Sequence, residues 1–101
     1  RFLPNPHWVP ELRSRTGLDQ DVRKYVLEQP LTVSFIAHTL PLFEFLLPSY
    51  VKEGKAYLTI AFGCTGGRHR SVAIAEEFGR ILDENGHSLR TRHRDLESKE
   101  I

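Results

Sequence analysis

The sequence predicts an α/β fold: a small, mainly parallel sheet with flanking helices. Three observations lead there. Residues 56–63, Ala-Tyr-Leu-Thr-Ile-Ala-Phe-Gly, make a short apolar run of the kind that forms a buried strand. A glycine turn, Cys64-Thr65-Gly66-Gly67-Arg68-His69, follows it and opens residues 70–85, where apolar side chains recur at helical spacing. Across the chain the expected elements run β, α, α, β, α, β, and parallel strands need helical crossovers of this kind. At 101 residues, the chain reads as one domain, 1–101.

Taken in order, Arg1-Phe2-Leu3 reads as the end of a strand, stopped by Pro4-Asn5-Pro6 because proline cannot donate to a ladder. Residues His7 to Gly17 are loop-like. Leu18 to Gln29 form a short helix, with Asp19 as N-cap, Val22, Tyr25 and Val26 as its apolar stripe, and Pro30 as its end. The longest helix runs from about Thr32 to Lys52, where Ile36, Leu40, Phe43, Leu47 and Tyr50 share one face. Pro41 and Pro48 are expected to kink or divide it, and Gly54 to close it. The strand 56–63, the loop 64–69 and the helix 70–85 come next, the last stopped by Asn85-Gly86. Ser88 to His93 reads as a final strand and Asp95 to Ile101 as a frayed tail.

Composition narrows the classes of function. The apolar share of 40% and charged share of 27% are those of an ordinary globular protein. A single cysteine rules out an intramolecular disulfide and points to a reducing cytoplasm. Apolar runs are read as falling short of the roughly 20 residues a membrane helix needs, so no membrane association is expected. The chain begins without methionine, which suggests a piece of something longer. A net charge of +1 argues against a uniformly basic nucleic-acid binder. The charge is unevenly placed, however: residues 86–94 hold three arginines and two histidines and no acid.

In α/β sheets, ligands bind beyond the carboxyl ends of the strands. Three segments end there on this reading: Pro4 to His7, Cys64 to Arg70, and His93-Arg94. The glycine turn is the strongest candidate. Two glycines let backbone N–H groups face an anion, a helix N-terminus adds positive dipole, and a guanidinium grips phosphate through two hydrogen bonds. The candidate ligand-binding residues are His7, Cys64, Thr65, Gly66, Gly67, Arg68, His69, Arg70 and Ser71. No lysine follows the glycines, so this is not a Walker loop.

Two other readings use nearby residues. Cys64 and Arg70, followed by Ser71, have the Cys-x5-Arg-Ser spacing of cysteine-dependent phosphatases, where a thiolate attacks phosphorus; Asp19 and Asp21 are the candidate acids. Arg90, Arg92 and Arg94 would share one face of a strand and suit a nucleic-acid backbone, although Asp95, Glu97 and Glu100 dilute that charge. The histidines lack metal-ligand spacing, so neither a metal nor a cofactor is expected.

Four stretches together resemble a known family: Arg-Phe-Leu-Pro-Asn-Pro-His-Trp (1–8), Leu-Arg-x-x-Thr-Gly-Leu-Asp (12–19), Gly-Cys-Thr-Gly-Gly-Arg-His-Arg-Ser-Val (63–72) and Arg-His-Arg-Asp-Leu (92–96). They are similar to the C-terminal domain of RapZ- and YvcJ-type RNase adapter, or nucleotide-binding, proteins. The resemblance implies a bacterial cytoplasmic protein with an N-terminal Walker-type ATP/GTP-binding domain outside this sequence. It implies that this part is a non-catalytic sensor of a phosphorylated amino sugar, with a fold similar to a phosphofructokinase subdomain. The implied ligand is glucosamine-6-phosphate or a UDP-linked N-acetylamino sugar, held by Cys64, Thr65, Gly66, His69, Arg70 and Ser71, with His7 as a further functional position. Small regulatory RNA, an endoribonuclease and a homo-oligomer are the implied partners. The RNA-binding branch ends in a lysine-rich tail, whereas this chain ends Glu97-Ser98-Lys99-Glu100-Ile101.

Overall fold

The computed structural model describes residues 1–54 and 57–97. Among them the protein is helical, with α1 at Gln20–Leu27, α2 at Pro30–Lys52, α3 at Arg70–Glu84 and α4 at Arg94–Glu97. A 3-10 turn, Pro6–Trp8, precedes α1. No strand is present among the described residues, which corrects the expected parallel sheet. The reason is a missing partner. A strand exists only by exchanging hydrogen bonds with a neighbour. The segments expected to pair, 57–63 and 88–93, are irregular, and their residues together line a cavity of about 520 Å³ instead of forming a ladder. The first residue of the expected strand 56–63, and the end of the expected tail, 98–101, lie outside the described residues.

The helices form where local chemistry favours them. Asp19 caps α1, its carboxylate accepting from Asp21 N at 2.9 Å and Val22 N at 3.4 Å. Pro30 does not simply end a helix: it occupies the first turn of α2, where no N–H is needed and its fixed φ suits the helix. Pro41 and Pro48 lie inside α2, yet the helix is one element of 23 residues. Gly54, at φ +84°, follows it, and Gly86, at φ +95°, follows α3.

Val22 and Val26 of α1 meet Ala73, Ile74 and Phe78 of α3 in the core, joined by Leu3 and Leu12. Phe78 is also the hub of an aromatic cluster, with ring centroids 4.9 Å from Phe62, 5.4 Å from Phe43 and 6.2 Å from Phe35. Phe62 thereby anchors the irregular segment before the glycine turn onto α2 and α3. Two histidine–carboxylate pairs anchor the segment after α3: His87 Nε2 lies 2.8 Å from Glu44 of α2, and His93 Nε2 lies 2.6 Å from Glu76 of α3.

α2 also departs from expectation. It is long and apolar enough to cross a membrane, with a mean hydropathy of 1.4 and only 6% of that window buried. Glu44 and Lys52 are its only Asp, Glu, Lys or Arg residues. Phe35, Ile36, Leu40 and Phe43 pack on the core, whereas Leu31, Val33, Leu42, Phe45 and Val51 are exposed.

Candidate functional site

The turn between Phe62 and α3 is shaped by its glycines. Gly66 (φ +86°) and Gly67 (φ +67°) both adopt left-handed backbone that other residues resist. The turn folds back so that Cys64 lies against the start of α3. His69, in the N-cap position, makes no side-chain cap bond. Cys64 takes that part: Ser71 N donates to Cys64 Sγ at 3.3 Å, and Ser71 Oγ stands 3.3 Å from the same sulfur.

These donors shift the thiol. Burial is the largest single influence on Cys64 and raises its pKa. The Ser71 hydroxyl and the backbone N–H groups of Ser71, Gly67 and His69 together outweigh it, so the pKa lies below the ordinary thiol value. Donors that favour a thiolate favour any anion brought to the same place. The turn and the helix start thus form a cradle of N–H and hydroxyl donors around the sulfur.

Arg70 is the first residue of α3 and is only 5% exposed. Its Nη1 donates to Arg1 O at 3.1 Å and Leu3 O at 3.0 Å, tying the chain's start to the cradle. Its Nε is buried without a hydrogen-bond partner, and no carboxylate lies within ion-pairing distance among the described residues. A buried guanidinium compensated only by carbonyls is a costly arrangement.

The loop before α1 buttresses the same turn. Gly17 N donates to Arg68 O at 2.8 Å. A Cβ on Gly17 would come within 2.5 Å of His69 O and Ala73 N, so only glycine fits there. His69 Nε2 donates to Arg13 O at 3.1 Å, and Arg13 Nε donates to His7 O at 2.7 Å. His7 is thereby linked to the turn through Arg13, while its ring stays exposed beside Trp8. Thr65, Gly66 and Arg68 are exposed, and nothing stands within 4 Å of where a Gly66 Cβ would be.

A cavity of about 430 Å³ opens beside the turn, with Cys64, Gly67 and Ser71 on one wall and Arg92, His93, Arg94 and Asp95 on the other. Two of the expected segment ends, the glycine turn and His93-Arg94, therefore share one cavity, whereas the third, at His7, is linked through Arg13 only to His69 of the turn. His7, Arg68, His69 and Arg70 are outside the cavity lining.

The two rival readings fare differently. For phosphatase chemistry, Arg70 spends Nη1 on main-chain carbonyls, Asp19 caps α1, and Asp21 pairs with Arg15 at 2.9 Å, so neither candidate acid is directed to Cys64. For nucleic acid, Arg90, Arg92 and Arg94 are all exposed, but they do not share a strand face. Arg90 and Arg92 lie in an irregular segment, and Arg94 begins α4, paired with Asp95 at 3.1 Å. No group of three or more metal-ligating side chains is gathered among the described residues.

Sequence reasoning missed Gly17 and Asp95. Gly17 stood within the 12–19 stretch of the family resemblance, but nothing in the sequence reported its contact with α3. Asp95 had one: it directly follows the cationic Arg92-His93-Arg94 stretch placed at the pocket edge.

Comparison with known proteins agrees with the four-motif resemblance. Residues 1–97 match the family described as the RapZ C-terminal domain. The chain is 58% identical over 97 residues to a nucleotide-binding protein of Geobacter sulfurreducens, covering 96% of this chain and 34% of that protein. It is 57% identical to one from Geobacter metallireducens, again over 96% of this chain and 34% of the relative. A nucleotide-binding protein of Desulforudis audaxviator is 55% identical over 95% of this chain and 33% of its own length. The chain thus spans about a third of these relatives.

Proposed function

Because the chain belongs to the RapZ C-terminal domain family, we propose that it is a non-catalytic sensor domain that binds a phosphorylated amino sugar at the glycine turn. The observation that carries this reading is Arg70: a cation 5% exposed, without a carboxylate partner among the described residues, at the first position of the helix that the turn opens. With Nη1 held by Arg1 O and Leu3 O and the residue outside the cavity lining, it would act on a ligand through its charge behind the turn rather than by direct contact. A phosphoryl group at the turn would supply the missing negative charge, and the Gly66-Gly67 backbone, the start of α3 and Ser71 would hold its oxygens. The cavity beside it, at about 430 Å³, is within the range of small-ligand sites and has room for one sugar. Glucosamine-6-phosphate and a UDP-linked N-acetylamino sugar are the two ligands to test. In the parent protein this domain would report ligand occupancy to a nucleotide-binding domain, since the relatives are named nucleotide-binding proteins. A bacterial cytoplasmic setting and a homo-oligomer belong to the same proposal, as do a small regulatory RNA and an endoribonuclease as partners.

The test is calorimetric titration of both sugars against the wild type and Arg70→Ala. Binding by the wild type, weakened at least tenfold in the variant, is the expected outcome. If neither sugar binds the wild type, the reading fails. The phosphatase alternative keeps one favourable observation, the lowered pKa of Cys64. It is separated by a single variant: Cys64→Ser should leave sugar-phosphate binding largely intact, whereas aryl phosphate hydrolysis by the wild type that disappears in this variant would replace the sensor with an enzyme.

A further inference from the structure

Gly67 is covered by a carboxylate. A Cβ built on Gly67 would meet the Asp95 side chain, with Asp95 Cγ at 2.8 Å and Asp95 Cβ at 3.0 Å, and with Oδ2 nearer still. Asp95 Oδ1 accepts from Arg94 Nε at 3.1 Å, so one carboxylate oxygen is held by its neighbour and the other is turned onto the glycine. The cavity beside the turn has Asp95 as its one acidic lining residue among the described residues; the rest of the lining is neutral apart from Arg92, His93 and Arg94. An acid in an otherwise cationic, glycine-cradled pocket works against anion binding unless it moves. It lies in α4, at whose start Leu96 N donates to His93 O at 3.2 Å.

We propose that Asp95 is an internal competitor for the anion cradle: its carboxylate stands over Gly67 where the ligand's phosphoryl group goes, and ligand binding drives Asp95 and α4 away. This rests on the glycine turn being the anion site. Asp95 then sets specificity as well as affinity. A doubly charged phosphoryl group gains more from the cradle than the carboxylate does and displaces it, whereas a ligand bearing only a carboxylate exchanges like for like. The same displacement gives the domain a conformational output, because α4 changes position only when the cradle is filled.

Inorganic phosphate and glucosamine-6-phosphate are titrated against the wild type and Asp95→Asn, which keeps the side chain's shape and removes its charge. Affinity for both should rise, on the order of tenfold, as expected when a competing interaction of ordinary coupling strength is removed. In the wild type, exchange of the Leu96 amide should accelerate on saturation, and that readout does not depend on any variant folding. Equal or weaker binding by Asp95→Asn, or a Leu96 amide that exchanges no faster with ligand, overturns the competitor while leaving the anion site in place. Absence of binding by every form, mapped by amide shifts at Gly66, Gly67 and Ser71, overturns both.

Discussion

Cys64, Gly17 and Arg70 show how single residues acquire roles that composition does not reveal. Cys64 has the spacing of a nucleophile, yet in the fold it caps a helix: it receives Ser71 N where His69 makes no side-chain cap bond. Serine at this position keeps an acceptor for that N–H, so the Cys64→Ser protein should fold and bind normally, and near-unchanged melting in thermal denaturation would check this. Gly17 is different, because a Cβ there would stand 2.5 Å from Ala73 N and His69 O, backbone atoms that cannot readily move aside. Gly17→Ala should destabilise the domain by about 1–3 kcal/mol through overpacking. Denaturant unfolding measures this directly, and an unchanged midpoint would mean that the loop and α3 do not touch as described. Arg70 was legible as a cation at the turn; its attachment to Arg1 and Leu3 was not, since no local pattern reports a contact between residues 67 positions apart.

At the scale of elements, the helices were readable and the sheet was not. Periodicity located α1, α2 and α3 because each carries its signal within its own sequence: the Asp19 cap, the Ile36–Leu40–Phe43 face, and the Val72 to Leu82 stripe. Residues 57–63 and 88–93 have strand-like composition, but a strand is a property of two segments, and the second cannot be read from the first. The elements that replaced them are held by side chains instead. Glu44 receives His87 Nε2 and Asn85 Nδ2, and these bonds, His87 first, lower its pKa despite some desolvation. A carboxylate whose folded pKa is depressed contributes stability that is present above its unfolded value, 4.5, and lost as pH falls through the lower folded value. Glu77, bonded to Arg80, acts in the same direction and window. Melting temperature should therefore fall on acidification below about pH 4.5, and the fall should be shallower in Glu44→Gln. An identical pH profile for that variant would remove the role given to the Glu44–His87 tether. Phe78 connects these tethers to the core through three aromatic neighbours, and Phe78→Ala is expected to cost about 3–5 kcal/mol in chemical denaturation.

The whole molecule organises its charge around one place. The 92–94 stretch, the glycine turn and the start of α3 stand around a common cavity, while four of the acids elsewhere are occupied: Asp19 with a helix cap, Glu77 with Arg80, Glu44 with His87, Glu76 with His93. Of the three segment ends expected to meet at one sheet edge, the glycine turn and His93-Arg94 line one cavity and Pro4 to His7 does not, and no sheet is present among the described residues to bring them together. α2 exposes Leu42, Phe45 and Val51, none of which lines this pocket. The central claim is that an anion binds at the glycine turn. It is tested most directly by following backbone amide resonances while glucosamine-6-phosphate is added. Saturable shifts concentrated at Gly66, Gly67, His69 and Ser71, abolished by Arg70→Ala in a protein that remains folded, are the expected result. Shifts confined to Arg90, Arg92 and their neighbours, or no shifts at millimolar ligand, a level weaker than about −4 kcal/mol of binding, would contradict it.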